Sequence, residues 1–245
     1  VMAIETRQQV LVFTDESLYA LQYLGPPFTF GVSLVSENIT TMGPLAAIPV
    51  EDSVYWMGLK EFYVYGGTVQ RLPCTVRDYV FDDINLSQRE KIVASSNTSF
   101  SEVWWFYPSA GSEVNDRYVV YNYQQQIWYY GTLERSYWVD RGIFDQPIAA
   151  GPNNYLYTQE VGFDGDGAAF TAYIESSQID IGDGDKFAFI KRMIPDVTFR
   201  GSTAASPSAN FTIKTRNFPG GDYLQSTEKQ ITKTASVPVE QFTEQ

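Results

Sequence analysis

Apolar and polar residues alternate along this chain in runs of four to seven, the period expected where strands expose one face of a sheet and bury the other. One alternating pattern occurs four times: a strand of small residues leads into a strand rich in aromatics. Met2-Ala3-Ile4 precedes Gln9 to Phe13, and Ala46-Ala47-Ile48-Pro49 precedes Val54-Tyr55-Trp56-Met57. Ile92-Val93-Ala94-Ser95 precedes Val103-Trp104-Trp105-Phe106, and Ile148-Ala149-Ala150-Gly151 precedes Tyr155-Leu156-Tyr157. The leading alanines Ala3, Ala47, Ala94 and Ala149 are spaced 44, 47 and 55 residues apart. Self-similarity at this period in β-type sequence predicts blades of a propeller, each one a four-stranded sheet.

Within each unit, turn residues separate the strands. In the first, Thr14 to Ser17 turns Val10–Phe13 into Leu18–Leu24, which Gly25-Pro26-Pro27 stops. The second turns at Gly58 to Glu61 before Phe62–Tyr65, then at Gly66-Gly67 before Thr68–Leu72. The third carries Val103–Tyr107, a loop from Pro108 to Asp116, Tyr118–Tyr121 and Ile127–Tyr130. The fourth carries Tyr155–Thr158, a glycine-rich loop over Gly162 to Gly167, and Phe170–Ile174. Gly31 to Met42 lacks clean periodicity and is expected to be an irregular connection. Helical signal is confined to Asn85–Lys91, where Ser87 and Glu90 have capping-box spacing.

Side-chain size graded by strand order separates a propeller from a sandwich. Innermost strands of converging blades have little room, and the next strand outward must fill a widening wedge. The fold class is therefore all-β, with at least four blade-like, β-propeller-like units over residues 1–177. Residues 178–245 form an irregular C-terminal β region, either a closing blade or a small β domain. Strands are expected there at Phe187–Ile194, Val197–Arg200, Phe211–Thr215 and Gln230–Ala235, between linkers rich in Gly, Ser and Pro. The widening spacings suit part of a larger propeller. A first residue in mid-strand and an uncapped end read as a fragment of a longer chain, or a processed one.

Composition narrows the function classes. Aromatics are 16 % of the 245 residues, which suits half-buried sheet faces. The net charge of −12 weighs against a role that rests on tight phosphate contact, which needs clustered Lys and Arg, and leaves passive proximity to DNA open. A single cysteine, Cys74, makes an intrachain disulfide impossible and is expected to be a buried, inert thiol. No apolar run is long enough to span a bilayer as a helix, and no signal-peptide pattern opens the chain.

Candidate chemistry is sparse. With no histidine, neither a Ser-His-Asp nor a Cys-His arrangement can be assembled within the chain. The runs Asp164-Gly165-Asp166-Gly167 and Asp183-Gly184-Asp185 resemble cation loops but do not continue into a calcium-binding loop, so hairpin turns are the expected reading. Asp82 with Asp83 is a carboxylate pair of the kind glycosidases use, here read as solvated loop acids. Trp104 to Tyr107 with Trp128 to Tyr130 could stack on sugars, but a strand aromatic on both faces is what packing between two neighbouring blades requires. Lys191-Arg192 reads as surface charge. No catalytic, cofactor-binding or metal-binding residue is assigned, no cofactor is called for, and the chain is read as a non-enzyme.

Glu5 to Asp15, Gly25-Pro26-Pro27-Phe28 with Gly31, Val54 to Gly58, and Ile179 to Asp185 together resemble the tail-nozzle, or packaged-DNA-stabilisation (tail tubular), proteins of short-tailed bacteriophages. The resemblance extends from Glu5 to about Pro219. It implies a structural virion protein of the tail, assembled in the host cytoplasm as a β-propeller subunit of a ring, usually a hexamer, below the portal and adaptor. Such a ring extends and closes the DNA channel, serves DNA retention and ejection, and offers its flank to tail fibres or spikes. DNA would pass without specific binding along a net-negative lumen. The alternative is a propeller that binds or cleaves glycans, and a cytosolic interaction scaffold is a weaker third reading.

Overall fold

The computed structural model describes residues 2–162, 164, 165, 167, 168, 172–176, 179, 189–199, 202, 204–218 and 220–232. The chain divides into two compact units, Val1–Ala169 and Phe170–Gln245. The boundary expected from sequence, between 177 and 178, falls just inside the second unit.

The fold is all-β, built from blade-like antiparallel sheets. The first comprises β1 (Met2–Glu5), β2 (Val10–Phe13), β3 (Ser17–Tyr23) and β4 (Phe30–Glu37) in the order of the chain. The second comprises β5 (Ala47–Val50), β6 (Ser53–Met57), β7 (Phe62–Tyr65) and β8 (Val69–Leu72). After a helix α1 (Arg77–Asp83) and a 3-10 turn (Leu86–Lys91), the third comprises β9 (Val93–Asn97), β10 (Glu102–Tyr107), β11 (Arg117–Asn122) and β12 (Ile127–Thr132). The fourth has three strands, β13 (Tyr137–Val139), β14 (Ile148–Ala150) and β15 (Leu156–Thr158).

Period-two alternation builds three cores, one at each junction between consecutive sheets. On β6, Val54 and Trp56 face the first sheet and join Ile4, Leu11, Phe13 and Leu18, with Phe13 edge-on to Trp56 at 5.2 Å. Tyr55 and Met57 face the third sheet instead. On β10, Val103, Trp105 and Tyr107 point to the second sheet, while Trp104 and Phe106 point to the fourth. Every residue of β10 is buried. This is the two-sided aromatic strand that the sequence predicts. The small-residue strands β5 and β9 lie side by side, since Leu45 pairs in parallel with Val93 and Ala94 N–H donates to Leu45 O at 2.7 Å. Ala46, Ala47, Ala94 and Ser95 are all buried there, so a larger side chain would push adjacent sheets apart.

Four local expectations are corrected. Residues 31–42 are not an irregular connection, because most of them form β4. Leu18 opposes Ser36 while Tyr19 opposes Leu34, so Val35 is an inserted bulge residue. The bulge turns Val35 to the first core and breaks the alternation of Phe30, Val32 and Leu34, which hid the strand. The helical turn expected over Asn85–Lys91 is present as the 3-10 turn Leu86–Lys91, and an α-helix that the sequence reading did not expect precedes it over Arg77–Asp83, with Val80 buried. The 3-10 turn is capped by Asn85, whose side chain accepts from Ser87 N–H at 3.1 Å, so Ser87 is not the cap. In the fourth unit Ile148–Ala150 does not lead: β13 precedes it in the sheet and lies against β9. There Ser95 Oγ donates to Trp138 O at 3.2 Å, and Trp138 Nε1 donates to Ser96 O at 3.0 Å.

In the second unit, β16 (Ser208–Phe211) pairs with β19 (Lys229–Thr232), and β17 (Lys214–Thr215) with β18 (Leu224–Gln225). The strand expected over Phe211–Thr215 is therefore two strands interrupted at Thr212-Ile213. Residues 189–194, 197–199 and 172–174 are not in strands, so the described parts of Phe187–Ile194, Val197–Arg200 and Phe170–Ile174 differ from expectation. Within Gln230–Ala235, β19 covers 230–232, and 233–235 lie outside the described residues. Among the described residues no helix is long and apolar enough to cross a membrane.

Candidate functional site: a buried carboxylate at the third junction

Among the described residues, those singled out in the sequence do not assemble into a reaction centre. Asp82 is exposed and Asp83 half-buried at the end of α1, and Asp83 lies 3.6 Å from Arg117. Asp164 Oδ1 accepts from Gly167 N–H at 2.9 Å, and Gly162 and Gly167 have φ of 79°, which makes this loop a hydrogen-bonded turn. Asp183-Gly184-Asp185 lies outside the described residues. Among the described residues, no three Asp, Glu, His or Cys side chains are grouped to hold a metal ion. Trp104 to Tyr107 are buried; Trp128 donates its indole N–H to Pro73 O at 2.8 Å, and Tyr130 packs on Tyr79 at 4.1 Å between ring centres. Lys191 and Arg192 are exposed. Cys74 is half-buried, and burial pushes its thiol up to about 11, so little reactive thiolate forms near neutrality.

Two places remain. A cleft of about 300 Å³ lies between the β1–β2 and β5–β6 turns, lined by Glu5, Thr6, Arg7, Glu51, Asp52 and Ser53. Arg7 pairs with Asp52 there at 3.0 Å, and both side chains are mostly exposed. An ion pair so solvated contributes under about 1 kcal/mol.

The second place is the head of β10. Glu102, 8 % exposed, stands opposite Asn97 on β9 and Asn122 on β11. It shares the face of β10 that carries Trp104 and Phe106. One carboxylate oxygen accepts from Trp104 Nε1 at 2.8 Å and from Asn97 Nδ2 at 3.5 Å. The other accepts from the Tyr129 hydroxyl in a short contact. The same Asn97 amide donates to Glu160 at 3.2 Å, so one amide bridges the two carboxylates. Asp140 closes the adjacent edge, accepting from Ser96 Oγ at 3.0 Å and Thr98 N–H at 2.9 Å.

Electrostatics follow from this packing. Burial, and then the charge on Glu102, raise the Glu160 carboxyl above its ordinary value, against the opposing hydrogen bond from Asn97. Burial followed by Glu102 likewise pushes Tyr129 and Tyr118 up, so both are neutral phenols throughout the physiological range. A raised carboxyl favours the folded protein while it is protonated. That contribution is complete below the unfolded value of 4.5 and is lost as pH rises through the folded one. Glu160→Gln is therefore expected to raise stability at pH 7 by under about 1 kcal/mol, screened by solvent, and to leave it unchanged below pH 4. Urea denaturation at the two pH values checks this, and an equal effect at both would show that the Glu160 carboxyl is not raised in the folded protein.

Sequence reasoning missed Glu102; the signal that could have found it is a lone acid heading a strand whose other five residues are apolar or aromatic. Nothing in the sequence marks Glu160 as its neighbour, because a 58-residue separation is bridged only by the sheet junction. Compared with known families and curated proteins, the sequence matches no family model and no curated protein.

Proposed function

We propose that this chain is a structural subunit of a phage tail nozzle, a ring that extends and closes the DNA channel. It would serve DNA retention and ejection, contacting the portal or adaptor on one side and tail fibres or spikes at its flank. The fate of the aromatic residues carries the reading. Trp56, Trp104, Trp105 and Phe106 are all consumed in junctions between sheets, as in a rigid scaffold. The resemblance of Glu5–Asp15 and the other segments named above supplies the ring and its place in the virion. The acidic balance of the chain supports passage of DNA without gripping. Native mass spectrometry and negative-stain imaging of the full chain test it: a sixfold ring is expected, and a monodisperse monomer would overturn it.

A second reading, a propeller that binds or cleaves glycans, draws support from Glu102 and Glu160. Both carboxylates accept from the one Asn97 amide, the proximity a glycosidase acid pair requires, and exposed Tyr155 sits in the turn between β14 and β15. A glycan array with hydrolysis assays decides this one, since a defined sugar preference or product would favour it over the ring.

A further inference from the structure

Two buried polar atoms where β10 ends and β11 begins have no hydrogen-bond partner among the described residues: the Tyr107 hydroxyl and Arg117 Nε. The register sets Tyr107 and Arg117 directly opposite each other. They share the face of the third sheet whose core takes in Val80 and Ile84 from the α1 segment, and Tyr107 is completely buried there. The last residue of α1 reaches the same place. Asp83 Oδ2 lies 3.6 Å from Arg117 Nε, beyond the range of a direct hydrogen bond. Backbone contacts fix the helix end at this separation: Ile84 bridges to Ser109, and Asn85 N–H donates to Pro108 O at 2.9 Å. A buried hydroxyl left without a partner would weaken the folding equilibrium about 5- to 30-fold, so this group calls for one.

We propose that Tyr107, Arg117 and Asp83 form a binding site for one internal water molecule, which joins α1 to the third sheet. The water accepts from Arg117 Nε–H and from the Tyr107 hydroxyl, and it donates to the Asp83 carboxylate. Three partners is the usual number for a buried water, and a polar gap longer than 3.5 Å is where a bridging water belongs. The charges around the site select a neutral occupant. Arg117 repels a metal cation. Asp83, together with Asp116 at 3.2 Å from the same guanidinium, outweighs that single positive charge and repels an anion. Asp116 does not compete for the water, since its two oxygens accept from Ser109 N–H and Ser109 Oγ, each at 2.8 Å. Tyr107 keeps its proton to donate: burial, and then the charge on Asp83, push its phenol up. The two acids read from sequence as one solvated pair thus part company, Asp82 facing solvent and Asp83 anchoring the joint. The site is internal to the third sheet and its helix, so it stands whichever assembly the chain belongs to.

Tyr107→Phe deletes the hydroxyl and keeps the ring, so the sign of its effect decides. With the water bound, the variant loses a hydrogen bond, and urea denaturation is expected to show an unfolding constant raised about fivefold. A hydroxyl without a partner would leave the variant as stable as the parent or more stable, and either result would overturn the proposal. A crystal structure of the chain, at a resolution that shows ordered waters, gives the direct readout. One water is expected within about 2.6–3.2 Å of Tyr107 Oη, Arg117 Nε and Asp83 Oδ2. A direct Arg117–Asp83 contact with no density between them would overturn the site. Anomalous density at the same place after a bromide soak would overturn the choice of a neutral occupant, and the proposal with it.

Discussion

Trp105→Ala is expected to cost about 4 kcal/mol of folding stability, the range for emptying a fully buried tryptophan site. Trp105 is completely buried at the junction of the second and third sheets. Its ring contacts Phe62 at 4.9 Å and Trp128 at 6.0 Å, and its indole N–H donates to Ala46 O at 3.0 Å. Both contributions vanish together: the dispersion contacts with two large rings, and the bond tying β10 to the start of the small-residue strand. Ala46 O keeps a second donor in Met57 N–H at 3.0 Å, so the cavity accounts for most of the loss. The surrounding rings belong to strands fixed by their own ladders, which limits collapse into the space. Against a total stability of about 5–15 kcal/mol for a typical domain, such a loss takes the protein close to unfolding at 37 °C. Trp105→Phe, which keeps most of the volume, should lose less than half as much. Urea denaturation followed by circular dichroism checks both, and a Trp105→Ala loss under about 1 kcal/mol would mean that the junction is not packed as described.

The junction chemistry was legible in the sequence because it has a period. Trp104 and Trp105 on one strand must point to opposite faces, so a strand carrying both had to lie between two neighbours. In the second and third units the alanine-rich leaders announced where the sheets come closest. What escaped detection broke that period. Val35 shifts the phase of β4 by one residue, so a strand of eight read as irregular. The helix at Arg77–Asp83 is a single short segment whose two acidic residues at its end resemble a loop. Its stability comes from packing, with Val80 buried in the second core and Phe81 against Phe62 at 5.3 Å, and packing of that kind leaves no local signature. In the fourth unit Ile148–Ala150 had the right composition for a leading strand, but Trp138 takes the place beside β9. Trp138 ties β13 to β9 through its carbonyl bond from Ser95 and its indole bond to Ser96, contacts that composition alone does not signal.

The carboxylate cluster was half legible for a related reason. A charged residue opening an apolar strand is visible in sequence, whereas its partners come from its own strand, two other strands and a loop. Asn97, Trp104 and Tyr129 are ordinary residues in sequence, and only the register of β9, β10, β11 and β12 aims their donors at one carboxylate. Long-range polar networks of this type depend on geometry that composition does not encode.

That network makes Glu102 the second position where a single change should be severe. Glu102→Ala is expected to cost about 3 kcal/mol, because it strips the acceptor from the buried Trp104 and Asn97 donors and from the half-buried Tyr129 hydroxyl. Trp104 Nε1 and the Tyr129 hydroxyl would each be left without it, and Asn97 would retain only Glu160. Glu102→Gln should be milder, at about 1–2 kcal/mol. It keeps the shape and one acceptor oxygen but turns an amide N–H group toward donors. The two glutamates can then be separated by a double-mutant cycle. If the charge on Glu102 helps to raise Glu160, as their shared Asn97 contact implies, the stabilisation from Glu160→Gln at pH 7 should shrink once Glu102 is Gln. Full additivity in that cycle would show that burial alone shifts Glu160, and it would remove the electrostatic link on which a paired-acid role for these residues depends.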